Sequence, residues 1–87
     1  ATNCRIEPVS IFERKHYFYA DLPRGYQITQ YEHPICRDGT LEFPLGDRLL
    51  MCGIERIHIE EDTGKSVHAG AFSLQDYNRA STPLIEI

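Results

Sequence analysis

The chain has 87 residues, and with 41% apolar, 25% charged and 10% aromatic residues its composition is that of one small folded domain rather than a disordered segment. Nine basic against thirteen acidic residues give a net charge of −4, which argues against a nucleic-acid or anionic-membrane surface built from bulk positive charge. The longest apolar run, Leu49–Cys52, is far too short to span a membrane, so no membrane association is expected.

The three cysteines, Cys4, Cys36 and Cys52, lie far apart and include no C-x-x-C pair. They signal neither a zinc ribbon nor a disulfide framework, and they are expected to be reduced and to act as small apolar residues. The chain starts without an initiator Met and stops inside an apolar, strand-like stretch. We therefore expect it to be a segment of a longer protein.

In chain order, the first half predicts one short helical turn and then strands joined by turns. Ser10–Glu13 fits an S-x-x-E capping box, which favours a helical turn. His16–Ala20 is aromatic and is predicted to be a strand, and Asp21–Gly25 is a Pro/Gly turn. Tyr26–Tyr31 is a second strand. The D-G pair in Arg37–Thr40 predicts a hairpin turn between short strands on either side.

The second half contains the clearest pattern, a period-two alternation over Ile54–Asp62. One face of this strand carries Ile57, Ile59 and Glu61, and the other carries Arg56, His58, Glu60 and Asp62. Asp62–Lys65 is predicted to be a turn, after which Ser66–His68 starts a return strand. Gln75–Arg79 and Leu84–Ile87 are predicted to form one last extended segment around Pro83. A β-rich, antiparallel structure follows.

Three adjacent carboxylates, Glu60, Glu61 and Asp62, are the first candidate for chemistry. Like charges in a row repel, so burying them demands a counter-charge, and a hard divalent cation such as Mg²⁺ supplies one. The same residues also fit an exposed hairpin turn that needs no metal. His58, on the face of Glu60, is either a ligand or acid–base group or a structural strand histidine.

Several basic and aromatic side chains are candidates for binding a nucleotide. The basic ones are Arg14, Lys15, Arg24, Lys65 and Arg79. The aromatic ones are Tyr17, Tyr19, Tyr26 and Tyr31. Arginine binds phosphate through paired hydrogen bonds and lysine as a point charge, while tyrosines stack on bases. Each also fits a solvated surface or a cross-strand pair, and the chain has no glycine-rich phosphate loop.

Longer strings carry a more specific signal: Arg14–Tyr31, Ile57–Lys65 and Asp76–Ile87. The second reads I-H-I-E-E-D-T-G-K and the third reads D-Y-N-R-A-S-T-P-L-I-E-I. Together with Asn3-Cys4, they resemble, in the same order and over essentially the whole chain, the signatures of the B subunits of glutamyl/aspartyl-tRNA amidotransferases, to which the archaeal E subunit is related. Ser81 stands where the family usually has Gly, which matters if that backbone needs a positive φ.

The resemblance implies an α+β fold, with residues 1–87 as a β-rich antiparallel part of a glutamine-synthetase-like catalytic cradle domain, truncated at both ends. It implies an ATP- and Mg²⁺-dependent ligase. This enzyme would phosphorylate the side-chain carboxylate of mischarged Glu-tRNA(Gln) or Asp-tRNA(Asn), and ammonia released from glutamine would then displace the phosphate. The isolated segment is expected to be inactive and poorly folded, because its strand edges are left open.

The resemblance also implies the surroundings of the parent protein. Its partners would be the amidase A subunit and the small C subunit of a heterotrimer, with tRNA as the substrate and no membrane involved. The compartment would be the bacterial cytoplasm, or a mitochondrion or plastid in a eukaryote.

On the same resemblance, Glu60 and Glu61 are the expected metal ligands. Strand alternation turns the two in opposite directions unless a bulge intervenes, and the family motif favours Glu61. The expected catalytic residues are Glu61, His58 and Lys65. The expected ATP- and substrate-binding residues are Arg14, Lys15, Tyr19, Asp21, Asn78 and Arg79.

Two other functions stay open at this point. The first is a metal-dependent nuclease or phosphatase with Glu60 and Glu61 as ligands and Lys65 nearby, which would cleave its substrate without ATP. The second is a non-catalytic relic or β interaction module that keeps only the scaffold of the family, which the reading frame on either side of the chain would reveal.

Overall fold

The computed structural model describes residues 1–87 and contains eight strands and no helix, hence no helix able to span a membrane. The strands are β1 (Arg5–Ile6), β2 (Glu13–His16), β3 (Tyr26–Thr29), β4 (Cys36–Leu45), β5 (Arg48–Glu61), β6 (Lys65–Ala69), β7 (Phe72–Asp76) and β8 (Pro83–Glu86). The main sheet has the order β1-β4-β5-β8, and β2–β3 and β6–β7 form two smaller sheets. All pairs are antiparallel. The β-rich antiparallel prediction is confirmed.

The helical turn predicted at Ser10–Glu13 is wrong. Glu13 is instead the first residue of β2 and pairs with Thr29 of β3. The strand predicted at His16–Ala20 is likewise displaced, since β2 ends at His16. A capping box adds only about 1 kcal/mol to a helix, so pairing with β3 outweighs it.

The hairpin predicted at Arg37–Thr40 is also wrong, because β4 runs straight through these residues. One register with β5 holds from Cys36 opposite Ile57 to Leu45 opposite Arg48, and the pairing is interrupted only at Asp38, whose φ is 56°. The turn lies at the next residues, where Gly46 has a φ of 63° and begins a two-residue loop. Gly39 is needed here for a different reason. A Cβ at this buried position would overlap the sulfur of Cys4, so only glycine lets the N-terminal segment lie against β4.

The return strand predicted after β5 pairs with a different partner. β6 turns away and pairs with β7, while β8 occupies the free edge of β5. Gly64 sits at the point of departure: its N–H donates to the carbonyl of Asp21 at 2.8 Å, and a Cβ there would come within 2.8 Å of the Tyr77 ring. The expected single segment around Pro83 is therefore two strands, separated by a turn over residues 78–81.

The molecule is flat, and its best-buried region is polar. Its radius of gyration is 17.2 Å, against about 12 Å for a compact domain of this length. Only four apolar side chains are buried: Leu22, Pro34, Ile54 and Ile57. The buried polar residues are Gln27, Thr29, Gln30, His58 and Glu60. Buried polar groups need partners, so this region is where the side-chain network forms.

Ser81 provides a first testable prediction, because its φ is 65°, in the left-handed region that glycine tolerates best. Ser81→Gly is expected to raise the free energy of unfolding of the full-length protein by about 0.5–1 kcal/mol, the relieved strain less the extra entropy of glycine. Urea unfolding measures it. Ser81→Ala, which keeps the strain, is the control, and an equal gain in both variants would contradict the explanation.

Candidate functional site

Three metal-ligating side chains meet where β5 and β8 pair. His58 lies directly opposite Glu86, and Glu60 is two residues further along the same face of β5. The Nε2 atom of His58 is 3.0 Å from a carboxylate oxygen of Glu60 and 3.2 Å from one of Glu86. The ligating atoms of the three lie within 4.8 Å of one another. We call these residues the His58–Glu60–Glu86 cluster.

Glu60 is the most enclosed member of the cluster, with 6% of its surface exposed. The hydroxyl of Thr29 on β3 donates to one carboxylate oxygen, and the ammonium of Lys15 on β2 lies 3.4 Å from the other. A buried carboxylate is costly unless it is paired and hydrogen-bonded. Glu60 therefore ties the β2–β3 sheet to the main sheet.

Glu61 lies on the opposite face of β5, as strand alternation predicts. The register with β8 runs without a bulge from His58 to Glu61, so nothing brings the two carboxylates together. The Glu61 carboxylate pairs with Arg24 and accepts the backbone N–H of Ile28 at 2.7 Å. Its own carbonyl accepts a hydrogen bond from the side chain of Gln27. These contacts dock β3 onto the end of β5.

Tyr17 borders the cluster from the loop after β2. Burial raises the pKa of its phenol, and the nearby carboxylates of Asp21 and Glu60 raise it further because they disfavour a third negative charge. One carboxylate oxygen of Asp21 is buried without a hydrogen-bond partner. Tyr19, by contrast, is 70% exposed, and its ring lies 5.7 Å from that of Tyr17. Tyr17 thus lies near Glu60 and Asp21, and the carbonyl of Asp21 is hydrogen-bonded to Gly64 at the bend after β5.

The remaining predicted site residues gather elsewhere, around the bend after β5. Lys65, Asn78 and Arg79 line a small, wholly polar cavity of about 160 Å³ together with Asp62. The guanidinium of Arg79 donates to the carboxylate of Asp62 at 2.9 Å. The structure thus divides the predicted residues into two groups, one at the His58–Glu60–Glu86 cluster and one at this bend.

Two open cavities meet at the cluster, and both are lined by Tyr31, His58 and Glu86. The first, of about 520 Å³, adds Arg14 and Lys15, and we call it the Lys15 cavity. The second, of about 430 Å³, adds Arg56 and apolar residues, and we call it the Arg56 cavity.

The Arg56 guanidinium is fixed in place beside the cluster. It lies 4.3 Å above the Tyr31 ring, donates to the Tyr31 carbonyl at 2.9 Å and pairs with Glu55. Stacking and a carbonyl hydrogen bond orient the flat guanidinium and lower the entropy lost when it binds a ligand. The positive charge nearest the cluster on this side is therefore preorganised.

Sequence reasoning missed Glu86, Thr29 and Arg56 as site residues. Glu86 lies in a segment whose strand partner the sequence does not indicate, and only the pairing of β5 with β8 brings it to His58. A correct pairing would have revealed it, since residues opposite His58 share its face. Thr29 and Arg56 have no signal beyond their place in predicted strands.

The sheet thus places a histidine and two carboxylates between two cavities that each contain acidic and basic side chains, and the carboxylates are donors suited to a divalent cation. A protein-family model described as the GatB/GatE catalytic domain matches residues 1–87, and the chain belongs to this family. The family resemblance seen in the sequence is thereby confirmed.

Curated relatives agree over the full length of the chain. The B subunit of the aspartyl/glutamyl-tRNA(Asn/Gln) amidotransferase from Geobacter sulfurreducens is 58% identical over 92 residues, covering 100% of this chain and 19% of the relative. The proteins of the same name from Trichlorobacter lovleyi and Helicobacter pylori are 57% and 54% identical, with 100% of this chain and 18% of each relative covered. The chain thus spans about a fifth of the length of these relatives.

Proposed function

We propose that this chain is part of the catalytic domain of the B subunit of a tRNA-dependent amidotransferase and contributes to the ATP-dependent activation of a tRNA-borne carboxylate. The family match and the relatives' name support the assignment to the B subunit. The proposed activation step rests on one observation, that two cavities meet at the His58–Glu60–Glu86 cluster. We further propose that the domain has a glutamine-synthetase-like fold and that its partners are the amidase A subunit and the small C subunit. The compartment we propose is the bacterial cytoplasm, or a mitochondrion or plastid in a eukaryote.

The reaction we propose has two balanced steps. A side-chain carboxylate oxygen of Glu-tRNA(Gln) or Asp-tRNA(Asn) attacks the γ-phosphorus of ATP, forming an acyl phosphate and releasing ADP. Ammonia from glutamine then attacks the carbonyl carbon, and inorganic phosphate leaves as the amide forms. Phosphoryl transfer depends chiefly on positioning and on neutralising charge, which suits a site of fixed cationic and anionic side chains.

The cluster fits the divalent cation that such a reaction requires. Mg²⁺ and Mn²⁺ both prefer carboxylate oxygens, which Glu60 and Glu86 supply, and His58 adds one imidazole nitrogen. Glu60, Glu86 and His58 would hold the ion, and it would neutralise phosphate charge. The face of Glu60 is favoured over that of Glu61 because His58 and Glu86 lie beside Glu60 as further donors, whereas the Glu61 carboxylate contacts Arg24 and the Ile28 N–H.

The two cavities differ in the basic side chains that line them. We assign the Lys15 cavity to the phosphates of ATP, because Arg14 and Lys15 are its basic residues and the Lys15 ammonium also contacts Glu60. We assign the Arg56 cavity to the aminoacyl end of the tRNA, because the Arg56 guanidinium, which Tyr31 orients, lines this cavity together with His58 and Glu86. The γ-phosphate of ATP and the carboxylate that accepts it would then meet at the His58–Glu60–Glu86 cluster. The group at the bend, with Lys65, Asn78 and Arg79, remains a candidate for second contacts to substrate.

The assignment of cavities is tested by comparing Arg56→Lys with Lys15→Met in the complete amidotransferase. Arg56→Lys is expected to raise KM for mischarged tRNA about tenfold, the loss of one charge-assisted hydrogen bond, and to leave KM for ATP unchanged. Lys15→Met is expected to raise KM for ATP and leave KM for tRNA unchanged. Steady-state kinetics with one substrate saturating separate the two. The reverse pattern would contradict the assignment of the cavities. Cleavage of tRNA by the unaltered enzyme in the absence of ATP would contradict the ligase function and support a nuclease.

A further inference from the structure

Two of the three cysteines come together on the main sheet. The N-terminal segment runs antiparallel to β4: the Thr40 N–H donates to the Thr2 carbonyl at 2.8 Å, Ile6 lies opposite Cys36, and the Glu7 N–H donates to the Ile35 carbonyl at 3.0 Å. One alignment explains all three contacts. It places Cys4 diagonal to Cys36, two residues before Ile6. Asn3 and Asp38 have positive φ, so the cavity that both cysteines line, rather than regular alternation, shows that the two thiols lie together.

The side chains agree with the backbone alignment. Cys4 and Cys36 are both free and half-buried, and both line one cavity of about 510 Å³ beside Ile6, Ile57 and Ile85. The Cys4 sulfur rests on Gly39, at a place where any side chain on β4 would displace it. Burial raises the pKa of the Cys36 thiol, and the adjacent Cys4 thiol raises it further. Cys52 is exposed and lies opposite Leu41, further along the β4–β5 hairpin.

We propose that Cys4 and Cys36 form a thiol pair that hydrogen peroxide closes into a disulfide, fastening the N-terminal segment to β4. This modification site is independent of the amidation chemistry. Its nearest link to the site is the strand pair itself, because Cys36 lies opposite Ile57, the residue before His58.

The chemistry balances with peroxide as the only oxidant. The Cys4 thiolate attacks one peroxide oxygen, the O–O bond breaks, and the departing hydroxide takes up a proton to leave as water, giving a sulfenic acid. The Cys36 sulfur then attacks the Cys4 sulfur, the S–S bond forms, the S–O bond breaks and a second water leaves. Two thiols and one peroxide thus become a disulfide and two waters. The raised pKa of Cys36 lowers its thiolate fraction and slows this second step, so the step depends on the adjacent position of the Cys4 sulfur.

Closing the bond requires only a small shift of the N-terminal segment. Diagonal neighbours in a sheet lie roughly 7–8 Å apart, and disulfides need Cα atoms within about 6.8 Å. Cys4 lies just outside β1, where one backbone hydrogen bond, from Thr40 to Thr2, holds the segment to β4. The movement therefore breaks little structure.

Peptide mapping of the full-length protein tests the proposal, because trypsin separates the three cysteines. Cys4 falls in a peptide that ends at Arg5, Cys36 in Gly25–Arg37 and Cys52 in Leu49–Arg56. The reduced protein is treated with hydrogen peroxide, its remaining thiols are alkylated, and it is digested without reductant. A linked peptide joining Cys4 to Cys36 is expected by mass spectrometry, and dithiothreitol should abolish it.

Two variants complete the test. Cys52→Ser, an exposed control, should leave the linked peptide unchanged, while Cys36→Ser should abolish it and leave Cys4 alkylated or oxidised alone. The wild-type protein decides the question even if a variant folds poorly. Recovery of Cys4 and Cys36 both alkylated after peroxide treatment, or linkage of either to another cysteine or to a second copy of the chain, would overturn the proposal.

Discussion

Glu60→Gln is expected to reduce the amidation of mischarged tRNA by roughly 100–1,000-fold, the loss typical of removing one charge-stabilising group from an active site. Glu60 contacts His58, Lys15 and Thr29 in the interior of the site, so the neutral amide removes a ligand while keeping the shape of the side chain. The measurement is the formation of Gln-tRNA or Asn-tRNA by the complete amidotransferase. Glutamine hydrolysis by the amidase subunit should be unaffected.

Glu61→Gln is the matched control for this prediction, because it makes the same change at the next residue on the opposite face. It loses the ion pair with Arg24 and weakens the bond from the Ile28 N–H, so the free energy of unfolding is expected to fall by about 1.5–3 kcal/mol. Amidation by the folded protein should persist. The family motif alone favours Glu61 as the ligand. Loss of amidation in Glu61→Gln with activity retained in Glu60→Gln would support the motif and contradict the face assignment.

Glu86→Gln is expected to weaken divalent-cation binding by about 10–100-fold and to raise by a similar factor the Mg²⁺ concentration needed for half-maximal amidation. Glu86 is exposed and holds its place through its pairing opposite His58, so the variant should fold normally. Mn²⁺ binding, followed by isothermal titration calorimetry, measures the affinity without relying on turnover.

Ile85→Val serves as the control for Glu86→Gln. Ile85 is the preceding residue of β8, lies opposite Ile59 and faces away from the cluster. Its truncation should change neither Mn²⁺ affinity nor the Mg²⁺ requirement. Unchanged Mn²⁺ affinity in Glu86→Gln would remove β8 from the proposed metal site.

Strand periodicity is the most reliable guide to this fold. The alternation over Ile54–Asp62 correctly separates His58 and Glu60 from Glu61, since a regular strand allows no other arrangement. Turn signals are less reliable. Asp38-Gly39 resembles a hairpin turn in its composition, but glycine is needed there because the N-terminal segment packs on β4, a contact between residues more than thirty positions apart. Local composition cannot distinguish these two uses of glycine.

The site residues also divide into those that the sequence predicts correctly and those whose position depends on tertiary contacts. Residue type and resemblance point to His58, Glu60 and Lys15, and the structure brings these three together. The resemblance also points to Lys65, Asn78 and Arg79, but the structure places them around the bend after β5 instead. β6 turns away there to pair with β7, at the point where Gly64 packs against Tyr77.

The sequence by itself determined the family, the antiparallel β character and the faces of the longest strand, because these depend on residue identity and on a period of two. The tertiary structure alone decided which strands pair. That pairing brought Glu86 to His58, separated the bend residues from the cluster and placed Cys4 beside Cys36. The physical reason is that strand pairing is set by packing and hydrogen bonding between segments far apart in the sequence. The local sequence of either segment does not reveal these interactions.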